Sequence, residues 1–289
     1  MRLGARSPDS AQQHLILTHN GQLERMKNTA HLLPFIALLM LSLTACSNNP
    51  KEDPYENSTA QQIYQEAHAK LEEDEYKKSA EVFEALEAHY PFGDYTKQGQ
   101  LEIVYSYYKA DESPAALAAA ERYIRLHPRS EQLDYAYYLK GLIKFNENKG
   151  LLSGFLPLDP SKRDLTADRA SYHFFEEFVR RYSNSPYAAD ARQRMAYLRN
   201  EFAQAQYHQA DYYYRRGAYL AAANRASDIV KNFEGATIMP DALVLVVKAY
   251  HKLGLEDLAA DAERVLALNY PEKDAALLEE EKTSKWYWF

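Results

Sequence analysis

One cysteine, ten glycines and two tryptophans in 289 residues leave this chain short of what several common protein strategies need. With a lone cysteine there can be no intrachain disulfide, even in an oxidising compartment, so stability must come from packing. Few glycines beside many alanines and straight-chain polar residues favour helices over strands. The phosphate-cradling, dinucleotide-binding, nucleophile-elbow and paired-histidine zinc motifs are all missing. His68, His89, His127, His173, His208 and His251 are scattered, and no two stand at metal-ligand spacing. His89 and His127 both come just before a repeat-ending proline, which fits a helix-terminal role better than a ligand role. Asp159, Asp164 and Asp168 do not match a calcium loop and read as turn or N-cap residues. An enzyme is therefore not expected, nor a metal or organic cofactor. The net charge of -7 argues against a nucleic-acid partner, which would call for a net basic domain.

The longest apolar run near the start, Leu32 to Leu43, is too short to span a bilayer as a helix. Met26 and Lys27 introduce it, and Leu43-Thr44-Ala45-Cys46 follows. A positive start, a short apolar segment and small residues before a cut make a secretory signal, and a cysteine at the cut resembles a bacterial lipoprotein signal. The competing reading is an ordinary signal peptide with an accidental cysteine. On the first reading residues 1–25 are a mis-assigned start and 26–45 the signal peptide. Cys46 then carries a diacylglycerol and an N-acyl chain, and 46–58 is a lipidated flexible tether with two prolines. Ser47, rather than Asp, after the cysteine points to the outer membrane, facing the periplasm.

From Thr59 the apolar residues recur at three and four: Ala60, Ile63, Tyr64, Ala67 and Leu71, then Tyr76, Ala80, Phe83, Leu86 and Tyr90 up to Pro91. Two such helices with small residues where they must approach resemble a tetratricopeptide repeat. The unit recurs, and His89-Tyr90-Pro91, Leu126-His127-Pro128 and Asn269-Tyr270-Pro271 are matching endings. Pro114 opens a helix where its missing N–H costs nothing. A third pair is interrupted by the Gly- and Pro-rich stretch 146–165, whose apolar residues are unusual for a long loop. From Tyr187 to Arg216 no Gly or Pro intervenes, which predicts one helix of about 30 residues stopped at Gly217. The expected fold is all-α, a tetratricopeptide-like superhelical solenoid of five helical hairpins. Repeats one to three span 59–182, repeats four and five 183–271, and an acidic and aromatic tail 272–289. The alternative is an irregular all-helical domain.

First helices of stacked hairpins line a concave groove, and here they carry Tyr64, Tyr105, Tyr107, Tyr108, Tyr135, Tyr137 and Tyr138. Tyrosine offers apolar area and a hydroxyl at low entropic cost, which suits capture of extended aromatic peptides. Because 105, 107 and 108 cannot share one helix face, about half of the set is expected in the core. Tyr64, Tyr105, Tyr108, Tyr135 and Tyr138 are the candidate peptide-binding residues. A second, basic surface is expected from Arg192, Arg194, Arg199, Arg215, Arg216 and Arg225, since arginine pairs with carboxylates at interfaces. A solvated helix face is the competing reading. Charge is uneven along the chain: Lys plus Arg against Asp plus Glu run 8 to 16 over 47–127 and 12 to 8 over 162–232. That division suits more than one protein partner.

Tyr90-Pro91-Phe92-Gly93-Asp94-Tyr95, Tyr107-Tyr108-Lys109, Arg122 through Pro128, Asp134 through Leu142 and Arg216-Gly217-Ala218-Tyr219 through Arg225 together resemble the BamD (ComL, YfiO) lipoprotein family. The resemblance runs from about 59 to 270. It implies a non-enzymatic outer-membrane lipoprotein of the β-barrel assembly machine. Repeats one to three would recognise C-terminal signals of unfolded outer-membrane proteins, and repeats four and five would dock the POTRA region of BamA. Other lipoproteins of the machine would bind alongside. On these residues the client role maps to the tyrosine groove and the BamA role to Arg192, Arg194, Arg215, Arg216 and, foremost, Arg225. The readings it competes with are a pilotin for secretin or pilus assembly and a regulator of a cell-wall enzyme. Trp286-Tyr287-Trp288-Phe289 resembles the signals this family binds, and would either enter a groove or cap the last repeat.

Overall fold

The computed structural model describes residues 53–147, 161, 164–274 and 276–277. Cys46, the signal segment, most of the 146–165 stretch and the aromatic tail end lie outside them. Each amphipathic run becomes a helix: α1 (Ala60–Glu72), α2 (Tyr76–His89), α3 (Asp94–Lys109), α4 (Ser113–Leu126), α5 (Leu133–Glu147), α6 (Thr166–Arg181), α7 (Ala188–Arg215), α8 (Tyr219–Asn232), α9 (Met239–Leu253) and α10 (Glu256–Asn269). No strand occurs among the described residues. They pair in order into five antiparallel hairpins, a tetratricopeptide-like array, and each helix packs mainly on its neighbours in sequence. The chain is tied down from Tyr55, whose ring packs on the first core cluster and whose hydroxyl donates to Glu66 at 3.0 Å. Tyr90 also donates to the Ser58 carbonyl at 2.6 Å. Ordered packing thus begins inside the stretch expected to be tether.

One backbone device turns four of the five hairpins. At the corners Asp74 (φ 60°), Asp111 (φ 62°), Gly217 (φ 79°) and Gly254 (φ 68°) are left-handed. The next residue's N–H reaches back five positions in every case: Glu75 to Lys70, Glu112 to Tyr107, Ala218 to Tyr213 and Leu255 to Tyr250, at 2.9–3.0 Å. This closure satisfies carbonyls that a helix end would leave orphaned. The third hairpin has the long connection in its place. Second helices end alike too, on Tyr90, His127, Tyr182, Phe233 and Tyr270, each leaving the helix at φ between -123° and -141° and ψ between 49° and 79° with its N–H still bonded four residues back. A proline follows three of these caps. Tyr182 and Phe233 lack one, which hid two of the five endings from the sequence pattern.

Small residues let the helices close. Ala67, Ala80, Ala116, Ala120, Ala222 and Ala226 are buried, with Phe83, Leu86, Phe175, Phe178 and Leu198 filling the space between helices. The tightest approach lies within the third hairpin. A Cβ on Gly141 of α5 would stand 2.3 Å from the ring of Phe175 on α6, a ring that is itself fully buried. Ser171 meanwhile donates to the Gly141 carbonyl at 2.9 Å, so the two backbones are locked together. The start of the tail folds back as well: Lys273 bonds Asp241 at 2.5 Å and Leu277 is buried against α9 and α10.

Gly141→Ala should destabilise by about 1–3 kcal/mol, because overpacking a sealed site outweighs the helix propensity alanine brings. Urea unfolding checks this. A variant as stable as the parent would show that Phe175 has room to move.

Candidate functional site

The first helices of the N-terminal hairpins, with the entry into α7, enclose a cleft of about 470 Å³. Its walls are His68 and Leu71 of α1, Gln98, Leu101, Glu102 and Tyr105 of α3, Glu131 to Tyr135 less Leu133 at the start of α5, and Pro186 and Tyr187. These positions converge because first helices stack directly, α1 on α3 and α3 on α5. Glu102 is the most heavily bonded group. It accepts from Tyr64 Oη at 2.7 Å and Gln98 Nε2 at 2.9 Å, while His68 Nδ1 stands 3.0 Å away. Burial, then the hydrogen bond to Glu102, pushes the Tyr64 phenol well above its usual range, so it stays a donor. Asp134 accepts from Ser185 Oγ at 2.7 Å. Three carboxylates and no Lys or Arg line the cleft, so its field is negative and disfavours an anionic occupant.

The five tyrosines expected in the groove divide. Tyr105 and Tyr135 line it, joined by Tyr187, whose ring lies 5.2 Å from that of Tyr135. Tyr64 supports the wall from behind, stacked on His68 at 5.9 Å and tilted against Phe83 at 6.0 Å. Tyr108 packs on Tyr105 and bonds Asn146, off the groove. Tyr107 faces away to bond Glu84. Tyr138 is 7 % exposed and belongs to the core between the third and fourth hairpins. There its hydroxyl donates to Asp190 Oδ2 at 2.6 Å, and its ring stacks on Tyr187 at 4.9 Å. Sequence reasoning missed His68, Glu102 and Asp134. The acidic bias of 47–127 was a signal for Glu102 alone.

The arginines also separate. Arg192 donates to the Ser183 carbonyl at 3.2 Å, and Arg194 forks onto Asp190 at 2.6 and 3.2 Å while lying 4.7 Å over Phe145. Both sit near the start of α7 and serve the seam with the third hairpin. Arg215 and Arg216 stand at the far end, about 30 Å away at 1.5 Å per residue. Arg215 is paired with Asp211 at 2.5 Å, and Arg216 is exposed as the cap of α7. Arg225 on α8 is held over Tyr213 at 5.2 Å, its Nη1 donating to Gln209 at 2.8 Å and Gln206 at 3.3 Å. Glutamine acceptors position this guanidinium without neutralising it. Arg215 and Arg216 thus end α7 while Arg225 faces its C-terminal half from α8, and Arg192 and Arg194 do not join them.

Residues 56–266, nearly the whole array, match the family model described as outer membrane lipoprotein, YfiO. Relatives named outer membrane protein assembly factor BamD align over most of their length. That of Neisseria meningitidis is 40% identical over 237 residues, 81% of this chain and 89% of its own. That of Vibrio cholerae is 35% identical over 233 residues, covering 80% and 96%, and that of Xylella fastidiosa is 34% identical over 242 residues, covering 84% and 83%. The chain belongs to the BamD family. A solved structure of a putative kinesin light chain from Podosopora anserina, with nearly identical TPR-like repeats, is a far weaker likeness. It has a TM-score of 0.31 and 11% identity, covers 80% of this chain and 99% of that one, and carries no part of the assignment. The BamD relatives are named for assembly, not for catalysis. Among the described residues no cluster of His, Cys, Asp and Glu could hold a metal, and no helix is long and apolar enough to cross a membrane.

Asp190 links α5 to α7 and carries a pH prediction. Burial alone would raise its carboxyl, but bonds from Arg194 and Tyr138 outweigh that and hold it below 3.8. A carboxyl depressed in the folded state adds stability above its unfolded pKa and loses it as pH falls through the folded one. Asp190→Asn should therefore cost about 1 kcal/mol or more at pH 7, from weakened charge-assisted bonds, with the deficit shrinking below pH ~3.8. Urea unfolding of both proteins at pH 7 and pH 3 measures it; an equal deficit at both would refute the charged-carboxylate account.

Proposed function

We propose that this protein is a non-enzymatic scaffold lipoprotein of the β-barrel assembly machine, taking part in assembly and insertion of β-barrel proteins into the outer membrane. The observation that carries the reading is the extent of the family match: the model covers 56–266, and the Neisseria relative is aligned over 89% of its length. Acylated Cys46 anchors the chain to the outer membrane on the periplasmic face, and α7 to α10 dock the POTRA region of BamA. Hairpins one to three receive segments of unfolded clients. Tyr105, Tyr135 and Tyr187 give the cleft apolar walls for an extended, aromatic-containing segment. Its three carboxylates favour the uncharged or cationic part of such a segment over a free chain end.

Arg225 is the foremost docking residue for BamA. It is pre-positioned by Tyr213 and two glutamines, neutral groups rather than a carboxylate. Reversing two of the arginines, Arg216→Glu with Arg225→Glu, should weaken BamA association by about tenfold or more while helical content is unchanged. Co-purification through the anchored protein, with circular dichroism as control, reads both. Undiminished recovery of BamA from a folded double variant would remove the docking assignment. Recovery of a secretin in place of BamA would sink the assembly reading as a whole.

A further inference from the structure

The chain enters the array beside one particular turn. Tyr55 meets the His89 ring edge-on at 6.3 Å, and Tyr90 Oη donates to the Ser58 carbonyl at 2.6 Å, so residues 55–58 lie against the end of α2. The turn that follows, Tyr90 to Gly93, is held at both ends. Thr96 Oγ1 donates to the Tyr90 carbonyl, and the Lys97 N–H to the Gly93 carbonyl at 2.9 Å. Gly93 adopts φ 123°, a conformation that residues with a Cβ rarely take. Between these fixed points Phe92 points into solvent. It is 90 % exposed, more than any other large apolar side chain among the described residues.

Phe92 is not alone on this edge of the array. Pro91 and Tyr95 are exposed beside it, and Leu126 is exposed on the neighbouring corner, where α4 ends. The two corners are joined, since His127 Nε2 lies 2.6 Å from Gln100 Oε1 of α3. Arg125 and Arg129 flank Leu126 in the open, and among the described residues neither has an ion pair. Single exposed apolar residues are ordinary, but rings and a leucine bordered by free cations make a surface suited to a bilayer interface. There aromatic rings sit at headgroup level and cations meet phosphates.

The chain leading to this turn decides what covers it. Cys46 precedes Tyr55 by nine residues, which span at most about 32 Å when fully extended. With Cys46 acylated, the bilayer lies within that reach of Tyr55 and therefore near the turn that Tyr55 packs beside. Leu268 on α10 is comparably exposed, at 83 %, yet it sits on the fifth hairpin, far along the chain from the point of entry. We propose that the Phe92 turn, with Tyr95 and Leu126, is a membrane contact that rests on the bilayer holding Cys46, with the Phe92 ring entering the acyl boundary. The inference rests on the acylated anchor of the proposed function. A lipid on a tether lets the array swing freely, whereas a second contact on the first hairpin sets which edge faces the lipid.

The test uses the full acylated chain in vesicles of phosphatidylcholine and phosphatidylglycerol. Once Cys46 is acylated no other thiol remains, so Phe92→Cys, Leu126→Cys and Leu268→Cys each offer one site for a nitroxide label. Circular dichroism confirms the fold of each. Collisions of the label with oxygen, which concentrates in acyl chains, are compared with collisions with a water-soluble nickel complex. The ratio should favour oxygen at position 92 by about fivefold or more over position 268. The label at 126 should share that preference and lose it when Phe92→Asp is added. In a chain whose intact mass includes the acyl groups, a label at 92 as water-exposed as that at 268 would overturn the membrane contact alone. A label at 92 shielded from both reagents would overturn it in favour of a second copy of the chain. A mass without acyl groups would overturn the anchor and this inference together.

Discussion

The seam between the third and fourth hairpins holds the array in one piece. A hairpin cannot bury its apolar stripe by itself, so stability depends on every junction between neighbours. Elsewhere first helices stack closely, α1 on α3, α3 on α5 and α7 on α9. Between α5 and α7 the contact is made by long side chains instead. Tyr138 stacks on Tyr187 and bonds Asp190, Arg194 forks onto Asp190 and covers Phe145, and Tyr197 meets Phe145 edge-on at 5.8 Å. Aromatic area with polar tips suits such a joint, because it fills a wider gap and still fixes direction through its hydrogen bonds.

That joint separates two chemically different halves. Ahead of it lies a cleft lined by three carboxylates and by no Lys or Arg. Behind it, α7 and α8 carry guanidinium groups in three environments. Arg192 and Arg194 are spent on the seam, Arg215 ends α7 with Arg225 facing that half of the helix from α8, and Arg169 and Arg199 face a recess walled by Tyr172, Phe202 and Phe233. Opposite fields on one scaffold discriminate between partners by repulsion as well as attraction. For a protein proposed to meet both a membrane-embedded partner and arriving unfolded chains, the separation keeps the two from competing for one surface.

Helices were legible in the sequence wherever local chemistry decides them. The stretch without Gly or Pro after Pro186 became the 28 residues of α7, Gly217 stopped it, and Pro114 opened α4. The left-handed corners at Asp74 and Asp111 were less visible, since aspartate marks such a turn more weakly than glycine does. Tyrosine roles were not legible individually. Tyr138 lies in the core because of Asp190, 52 residues on, and helical period alone cannot report a partner on another hairpin. The arginines failed to form one face for a related reason. Arg194 has Asp190 one turn earlier, a pairing readable in the sequence, whereas the distance between the ends of α7 separates it from Arg215 and Arg216. The recess at Arg169 and Arg199 needs α6, α7 and α8 together.

Depletion of the protein from cells tests whether this helical scaffold serves outer-membrane β-barrel assembly. Folded β-barrel proteins in their outer membrane would be quantified against other outer-membrane lipoproteins as depletion proceeds. Folded barrels should fall, with unfolded clients accumulating in the periplasm, while the other lipoproteins hold steady. Barrel levels that stay constant after the protein is gone would contradict that role.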